Sequence, residues 1–155
     1  MALKNLSRSI EGCVAVITGA GSGMGAATAK LFAEEGATVA LIDLNEPGVL
    51  AVEKEIVDAG KSGLAWIADL GSKLEIDETI SAVAEKFSGI DLLITNAGIS
   101  IPVAIDDDAY DEAWSNSVNV LLTAHTRTIR ASLPWLRKSK NPRIVNIAST
   151  EGFGA

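Results

Sequence analysis

One cysteine, Cys13, stands in a chain of 155 residues. A lone thiol closes no intrachain bridge, so a disulfide scaffold is excluded and a reducing compartment is the natural expectation. Four prolines and 14 glycines without a triplet repeat rule out a collagen-like chain. Positive charge is also scarce: 13 basic residues against 20 acidic ones leave a net charge of −7. That balance repels a phosphate backbone and an anionic lipid surface alike, so neither nucleic acid nor membrane is an expected partner. No window approaches the roughly 20 apolar residues of a membrane span, and Lys4 and Arg8 have no apolar run behind them to make a secretory leader. Internal repeats, low-complexity tracts and Pro/Gly/Ser-rich linkers are missing as well. The expectation is a single cytoplasmic domain over residues 1–155, whose 48% hydrophobic content suffices for one sizeable core.

What the chain does contain is a rhythm. Short apolar, β-branched runs at Cys13–Thr18, Thr38–Leu44, Gly63–Asp69, Asp91–Asn96 and Arg143–Ser149 read as strands. Because they hardly alternate with polar residues, they are expected to be buried on both faces of a parallel sheet. Between them Gly25–Gly36, Val49–Gly60, Leu74–Ser88 and Tyr110–Lys138 carry apolar positions three and four apart and read as helices. Gly36 and Gly60 fit helix stops, Asp106, Asp107 and Asp108 fit a helix start rather than a calcium loop, and Pro134 is expected to kink or end the fourth helix.

The most informative stretch runs Thr18-Gly19-Ala20-Gly21-Ser22-Gly23-Met24-Gly25 and joins the first strand to the first helix. Glycines in that place remove the side chains that would keep a pyrophosphate from the backbone N–H groups at the helix start. A P-loop is excluded because no Gly-Lys-Ser/Thr closes the turn, and Met24 stands where a strict Gly-x-Gly-x-x-Gly has its third glycine. Asp43, ending the second strand before Leu44 gives way to Asn45, lies 18 residues after Gly25. This is close to the spacing at which an acid accepts hydrogen bonds from an adenosine ribose. A 2′-phosphate would be repelled there, and no Lys or Arg occurs between Lys30 and Lys54 to neutralise it. NAD is therefore expected over NADP, and no metal is expected.

Thr18-Gly-x-x-x-Gly23-x-Gly25 resembles the cofactor loop of the classical short-chain dehydrogenases/reductases, and further motifs follow in that family's order. Asp69-Leu70 resembles its adenine-contacting pair, and Asn96-Ala97-Gly98 its turn along the cofactor cleft. Asn119, in Ser117-Val118-Asn119-Val120, resembles the helix asparagine that helps hold a proton-relay water. Ile144-Val145-Asn146-Ile147-Ala148-Ser149 resembles the strand that presents the catalytic serine. The resemblance implies a Rossmann-like, doubly wound parallel sheet in the order 3-2-1-4-5. It also implies NAD seated by Gly19, Gly21, Ser22, Gly23, Met24 and Gly25 with Asp43 and Leu44, and hydride exchange with a secondary alcohol or ketone polarised by Ser149.

The family's Tyr-x-x-x-Lys is missing. Tyr110, the one tyrosine, has no lysine four residues on. Without a phenol beside an ammonium nothing moves the hydroxyl proton, so residues 1–155 alone are expected to be inactive and short of a family domain of about 250 residues. A non-catalytic NAD-binding module and one part of a split enzyme are the alternative readings. His125 is expected to lie at the surface or to pack between helices, Cys13 to be a small buried apolar residue, and Trp66, Trp114 and Trp135 to pack or to meet a partner subunit. The resemblance further implies a homodimer or homotetramer through the 110–138 helix, and a fifth strand left as an apolar sheet edge prone to association.

Overall fold

The computed structural model describes residues 8–149. In chain order it runs β1 (Val14–Thr18), α1 (Gly23–Glu34), β2 (Thr38–Asp43), α2 (Glu46–Asp58), β3 (Gly63–Ile67), α3 (Lys73–Phe87) and β4 (Leu92–Thr95). Then come α4 (Tyr110–Val118), a π-helical turn (Asn119–Thr123), α5 (Ala124–Leu136) and β5 (Arg143–Asn146). The strands form one five-stranded sheet in the order β3-β2-β1-β4-β5, every pair parallel, as the alternation of runs predicts.

Successive side chains of a strand point to opposite faces, and β1 and β2 are apolar on both. Ala15, Ile17, Val39 and Leu41 pack with Ala29 and Ala33 of α1 and Val52 and Ile56 of α2. Val16, Ala40, Ile42 and Leu93 pack on the other side with Ile76, Ile80 and Val83 of α3 and with Ala124 and Leu136 of α5. Two cores thus sandwich the sheet, which is why those strands carry no polar alternation. Among the described residues no helix is long and apolar enough to cross a membrane.

The expectation of two-sided burial fails for both edge strands: β3 is only partly buried, with Ile67 exposed to 48%, and β5 is more open still. Ile144, Val145 and Ile147 are exposed to 40%, 45% and 37%. Among the described residues β5 pairs with β4 alone, so an apolar run here belongs to a sheet edge rather than a sheet centre. The single helix expected over Tyr110–Lys138 is likewise corrected. A π turn at 119–123 divides it, and Pro134 lies inside α5, which continues to Leu136. Proline that late forfeits one bond, to the carbonyl four residues back, and the helix ends within the same turn. Helix starts are also earlier than expected: α1 begins at Gly23, and α2 at Glu46 with a proline in its first turn.

Candidate functional site

A cavity of about 430 Å³ opens at the carboxyl edge of the sheet. β1, in the centre of the sheet, is flanked by β2 and β4, whose outgoing connections turn to opposite faces, and the cavity lies at that divergence. Of the residues expected at a site, Gly19, Ser22, Gly23, Met24, Asp43, Leu44, Asp69, Leu70, Asn96, Ala97 and Gly98 line it. Ala68, Ile99 and Val120 line it too. Gly21 and Gly25 do not line it but shape what does.

Gly25 sits in the first turn of α1, where an added Cβ would fall 2.0 Å from the Gly19 carbonyl oxygen. At Gly19, with φ +66°, a Cβ would lie 2.8 Å from the Ala97 Cα. Only glycine lets the helix start, the loop and the turn after β4 meet this closely. The N–H of Gly21 donates to Asp43 Oδ2 at 2.8 Å, which ties the loop to the end of β2.

The starts of α1, α2 and α3 differ in one respect, while α4, after Ala109, begins without a side-chain cap as α1 does. Asn45 caps α2 by accepting from Gly48 N, and Ser72 caps α3 by accepting from Glu75 N. Ser22, before α1, makes no side-chain cap bond. Its first-turn N–H groups therefore have no capping oxygen, and Ser22, Gly23 and Met24 all face the cavity. An acceptor-rich, negatively charged group suits that place.

Thr18, which heads the loop motif but is given no role of its own by the sequence, is 1% exposed. Its Oγ1 accepts the backbone N–H groups of Asn96 at 2.9 Å and Ala97 at 3.1 Å. The Asn96 amide returns by donating to the carbonyls of Thr18 at 3.0 Å and Gly19 at 3.3 Å. A hydroxyl ending an otherwise apolar strand is the signal that the sequence offered.

Two carboxylates stand at the adjacent strand ends. Asp43 accepts from Gly21 N through Oδ2 and from Asn45 N, at 2.8 Å, through Oδ1. Each oxygen keeps a further lone pair for a donor in the cavity. Asp69 accepts the Gly71 N–H at 2.7 Å through Oδ1, while its own N–H donates to Glu75 Oε2 at 2.8 Å.

Asn119, expected to help hold a relay water, is not among the residues that line the cavity. Its Nδ2 donates to the Gly71 carbonyl at 3.0 Å, its Oδ1 accepts from Arg127 Nη1 at 3.2 Å, and its own carbonyl takes the π-turn bond from Ala124 N. The side chain is turned to the loop after β3, and Val120, not Asn119, reaches the cavity wall. The extra residue of the π turn changes the helix phase, which spacing along the sequence does not reveal.

Ser149 follows β5 at the carboxyl edge of the sheet, the edge that bears the cavity, and is exposed. It is not among the cavity-lining residues. Thr150, its neighbouring hydroxyl, lies outside the described residues. Below Ser149, Asn146 Oδ1 accepts from Thr95 Oγ1 at 2.6 Å. His125 sits 3.4 Å from Thr95 Oγ1 through Nδ1 and 3.2 Å from the Ala97 carbonyl through Nε2. The surface or helix–helix packing role expected for the histidine is thus corrected: its ring reaches from α5 to the end of β4 and braces the turn that walls the cavity. Cys13 is half-buried beside the core, its thiol pushed up by burial and by the Asp91 carboxylate, with Arg143 partly offsetting both.

Comparison with known proteins gives one consistent picture. The profile of the family described as short chain dehydrogenase matches residues 13–155. A 2,5-dichloro-2,5-cyclohexadiene-1,4-diol dehydrogenase of Sphingobium indicum is 40% identical over 148 residues, 96% of this chain and 59% of that protein. An uncharacterized oxidoreductase of Staphylococcus epidermidis is 34% identical over 141 residues, 90% of this chain and 59% of its own length. Among solved structures, a short chain dehydrogenase from Mycobacterium smegmatis superposes with a TM-score of 0.87 at 33% identity, covering 95% of this chain and 62% of that one. The chain thus spans about three fifths of the length of the curated relatives it matches.

Proposed function

The chain belongs to the short-chain dehydrogenase family, and from that footing we propose that it seats NAD(H) in the cavity for an oxidoreductase that interconverts a secondary alcohol and a ketone. The observation that carries the reading is the pairing of the uncapped start of α1 with the Asp43 carboxylate across one cavity.

The residues present fit a dinucleotide. The glycine loop and the first turn of α1 offer backbone N–H groups and no side-chain obstruction to a pyrophosphate. Asp43 has lone pairs left for ribose hydroxyls and a negative charge that disfavours a 2′-phosphate. Asp69 and Leu70 wall the adenine end, and Asn96, Ala97 and Gly98 wall the middle. When bound, the nicotinamide supplies the acceptor or donor of hydride. Ser149 donates a hydrogen bond to the substrate oxygen and so stabilises the alkoxide-like charge of that transfer. A proton must also leave or join that oxygen, and the 155 residues contain no Tyr-x-x-x-Lys to carry it.

The same proposal extends to assembly and place. Trp114 and Leu122, exposed to 61% and 62% along α4 and the π turn, offer apolar surface for a homodimer or homotetramer. Acidic balance and a single thiol suit the cytoplasm.

Calorimetric titration of the purified protein with NADH and NADPH tests the assignment. NADH is expected to bind at least ~10-fold tighter, as one charge-assisted hydrogen bond allows, and Asp43→Ala to remove that preference. Equal or tighter NADPH binding by the unaltered protein overturns it.

A further inference from the structure

Arg127 is a half-buried cation without a carboxylate partner among the described residues. Its Nη1 donates to the Gly71 carbonyl at 3.3 Å and to Asn119 Oδ1 at 3.2 Å, and Asn119 Nδ2 donates to the same carbonyl at 3.0 Å. Two side chains from the π turn and α5 therefore close a triangle on one backbone oxygen of the loop after β3. A guanidinium spent on a carbonyl, with no opposite charge to neutralise it, needs a reason.

The reason lies on the other side of Gly71. Its N–H donates to Asp69 Oδ1 at 2.7 Å, and Ser72 N bonds the Asp69 carbonyl at 3.0 Å. A Cβ added at Gly71 would stand 3.0 Å from Asp69 Oδ1 and 3.1 Å from Asn119 Nδ2, so the carboxylate and the amide crowd the same Cα. The carbonyl of Gly71 is held by Asn119 and Arg127 while its N–H holds Asp69 Oδ1, so one residue, crowded at its Cα by both side chains, links the clamp to the carboxylate at the cavity wall.

We infer that Arg127 and Asn119 are positioning residues that act through the Gly71 carbonyl to aim Asp69 at the exocyclic amine of the bound base. This rests on the reading of the cavity as a dinucleotide site. Neither residue touches the cavity, so neither contributes binding directly, and their effect is confined to the base-reading end. Glu75, holding the Asp69 N–H, secures the backbone there but leaves the carboxylate free to rotate. The clamp on Gly71 supplies the remaining constraint.

The test compares two dinucleotides on the protein expressed from its complete coding sequence: NADH, and reduced nicotinamide hypoxanthine dinucleotide, which carries a 6-oxo group in place of the 6-amino group. The unaltered protein is expected to prefer NADH by ~10-fold, the size of one hydrogen bond to a charged acceptor. Arg127→Met and Asn119→Ala are each expected to shrink that ratio to about threefold or less, with the double variant no worse than the worse single one, since both act on one oxygen. Arg127→Lys, which keeps a donor, should retain part of the preference. Variants with lowered melting temperature but an unchanged ratio overturn the inference and leave the clamp a purely structural role. An unaltered protein that binds NADH without preferring it over the hypoxanthine form overturns the aim assigned to Asp69. Failure to bind either dinucleotide overturns the site reading itself.

Discussion

The hydroxyl of Thr18 accepts the backbone N–H of Asn96 at 2.9 Å, and the side-chain amide of Asn96 donates back to the Thr18 carbonyl at 3.0 Å. The two residues end neighbouring parallel strands, where the regular ladder runs out and the chains must diverge. Each supplies from its side chain what the other's backbone lacks. The cavity's loop and its middle wall are thereby held at a constant separation.

Thr18→Val keeps the shape and deletes the acceptor of two N–H groups, those of Asn96 and Ala97. At about 1–3 kcal/mol for each N–H group left unpaired, a loss of about 2–6 kcal/mol in urea unfolding is expected, toward the lower end because both groups are only part-buried. A loss under about 1 kcal/mol would show that the turn finds other partners.

Glycines in the loop are not equivalent. A methyl at Gly25 meets a backbone oxygen at 2.0 Å, whereas one at Gly23 meets nothing within 4 Å and is opposed only by φ +52°. Gly23→Ala should cost about 1–2 kcal/mol. Gly25→Ala, facing immovable backbone, should cost more than about 3 kcal/mol or prevent folding. Melting temperatures of the two variants in parallel decide it, and equal values contradict the close approach.

Ser132 lies fully buried in α5 with its hydroxyl oxygen unpaired, while Thr128, one turn earlier, bonds the Ala124 carbonyl at 2.8 Å. Burying a hydroxyl without a partner is unfavourable. Ser132→Ala is expected to stabilise the protein by about 1 kcal/mol, seen as a higher denaturation midpoint. Destabilisation instead would mean that the hydroxyl is satisfied in solution.

The Cys13 thiol is pushed up first by burial and then by the Asp91 carboxylate. The unfolded thiol ionises at lower pH than the folded one, so the unfolded state holds fewer protons in the alkaline range. Stability therefore falls as pH rises above the ordinary thiol range, and Cys13→Ala should flatten that decline. Ellman's reagent at pH 8 should label the native protein more slowly than free cysteine, and equal rates would contradict the shift.

Much of the fold was legible because its signals are local. Apolar runs such as Val14–Thr18 and Thr38–Asp43 bury both faces, and their number and spacing lead to a parallel sheet. The cavity was legible through Gly19, Asp43, Asp69 and Asn96, since strand ends collect ligand-facing residues. Three things were not. Asn119 stands in a fitting motif, but whether its amide faces the cavity or Gly71 depends on the π turn, which has no local signature. Thr18 and His125 act through partners 78 and 30 residues away, and single-sequence spacing is blind to such pairings. The exposure of Val145 is not legible in its own run and was reached only through the resemblance, which leaves the fifth strand at a sheet edge.

The π turn between α4 and α5 amounts to one surplus residue wound into an otherwise continuous rod. Two residues apart, Asn119 lies against Gly71 and Leu121 against Gly98, with Leu121 Cδ2 3.3 Å from where a Cβ on Gly98 would stand. The rod therefore serves two loops from one short arc, gripping the end of β3 and the end of β4 at once. Shortening it by one residue would restore an uninterrupted 3.6-residue winding and keep the backbone ladder whole. The price would be a rotation of about 100° between its halves, leaving one of the two loops without its brace.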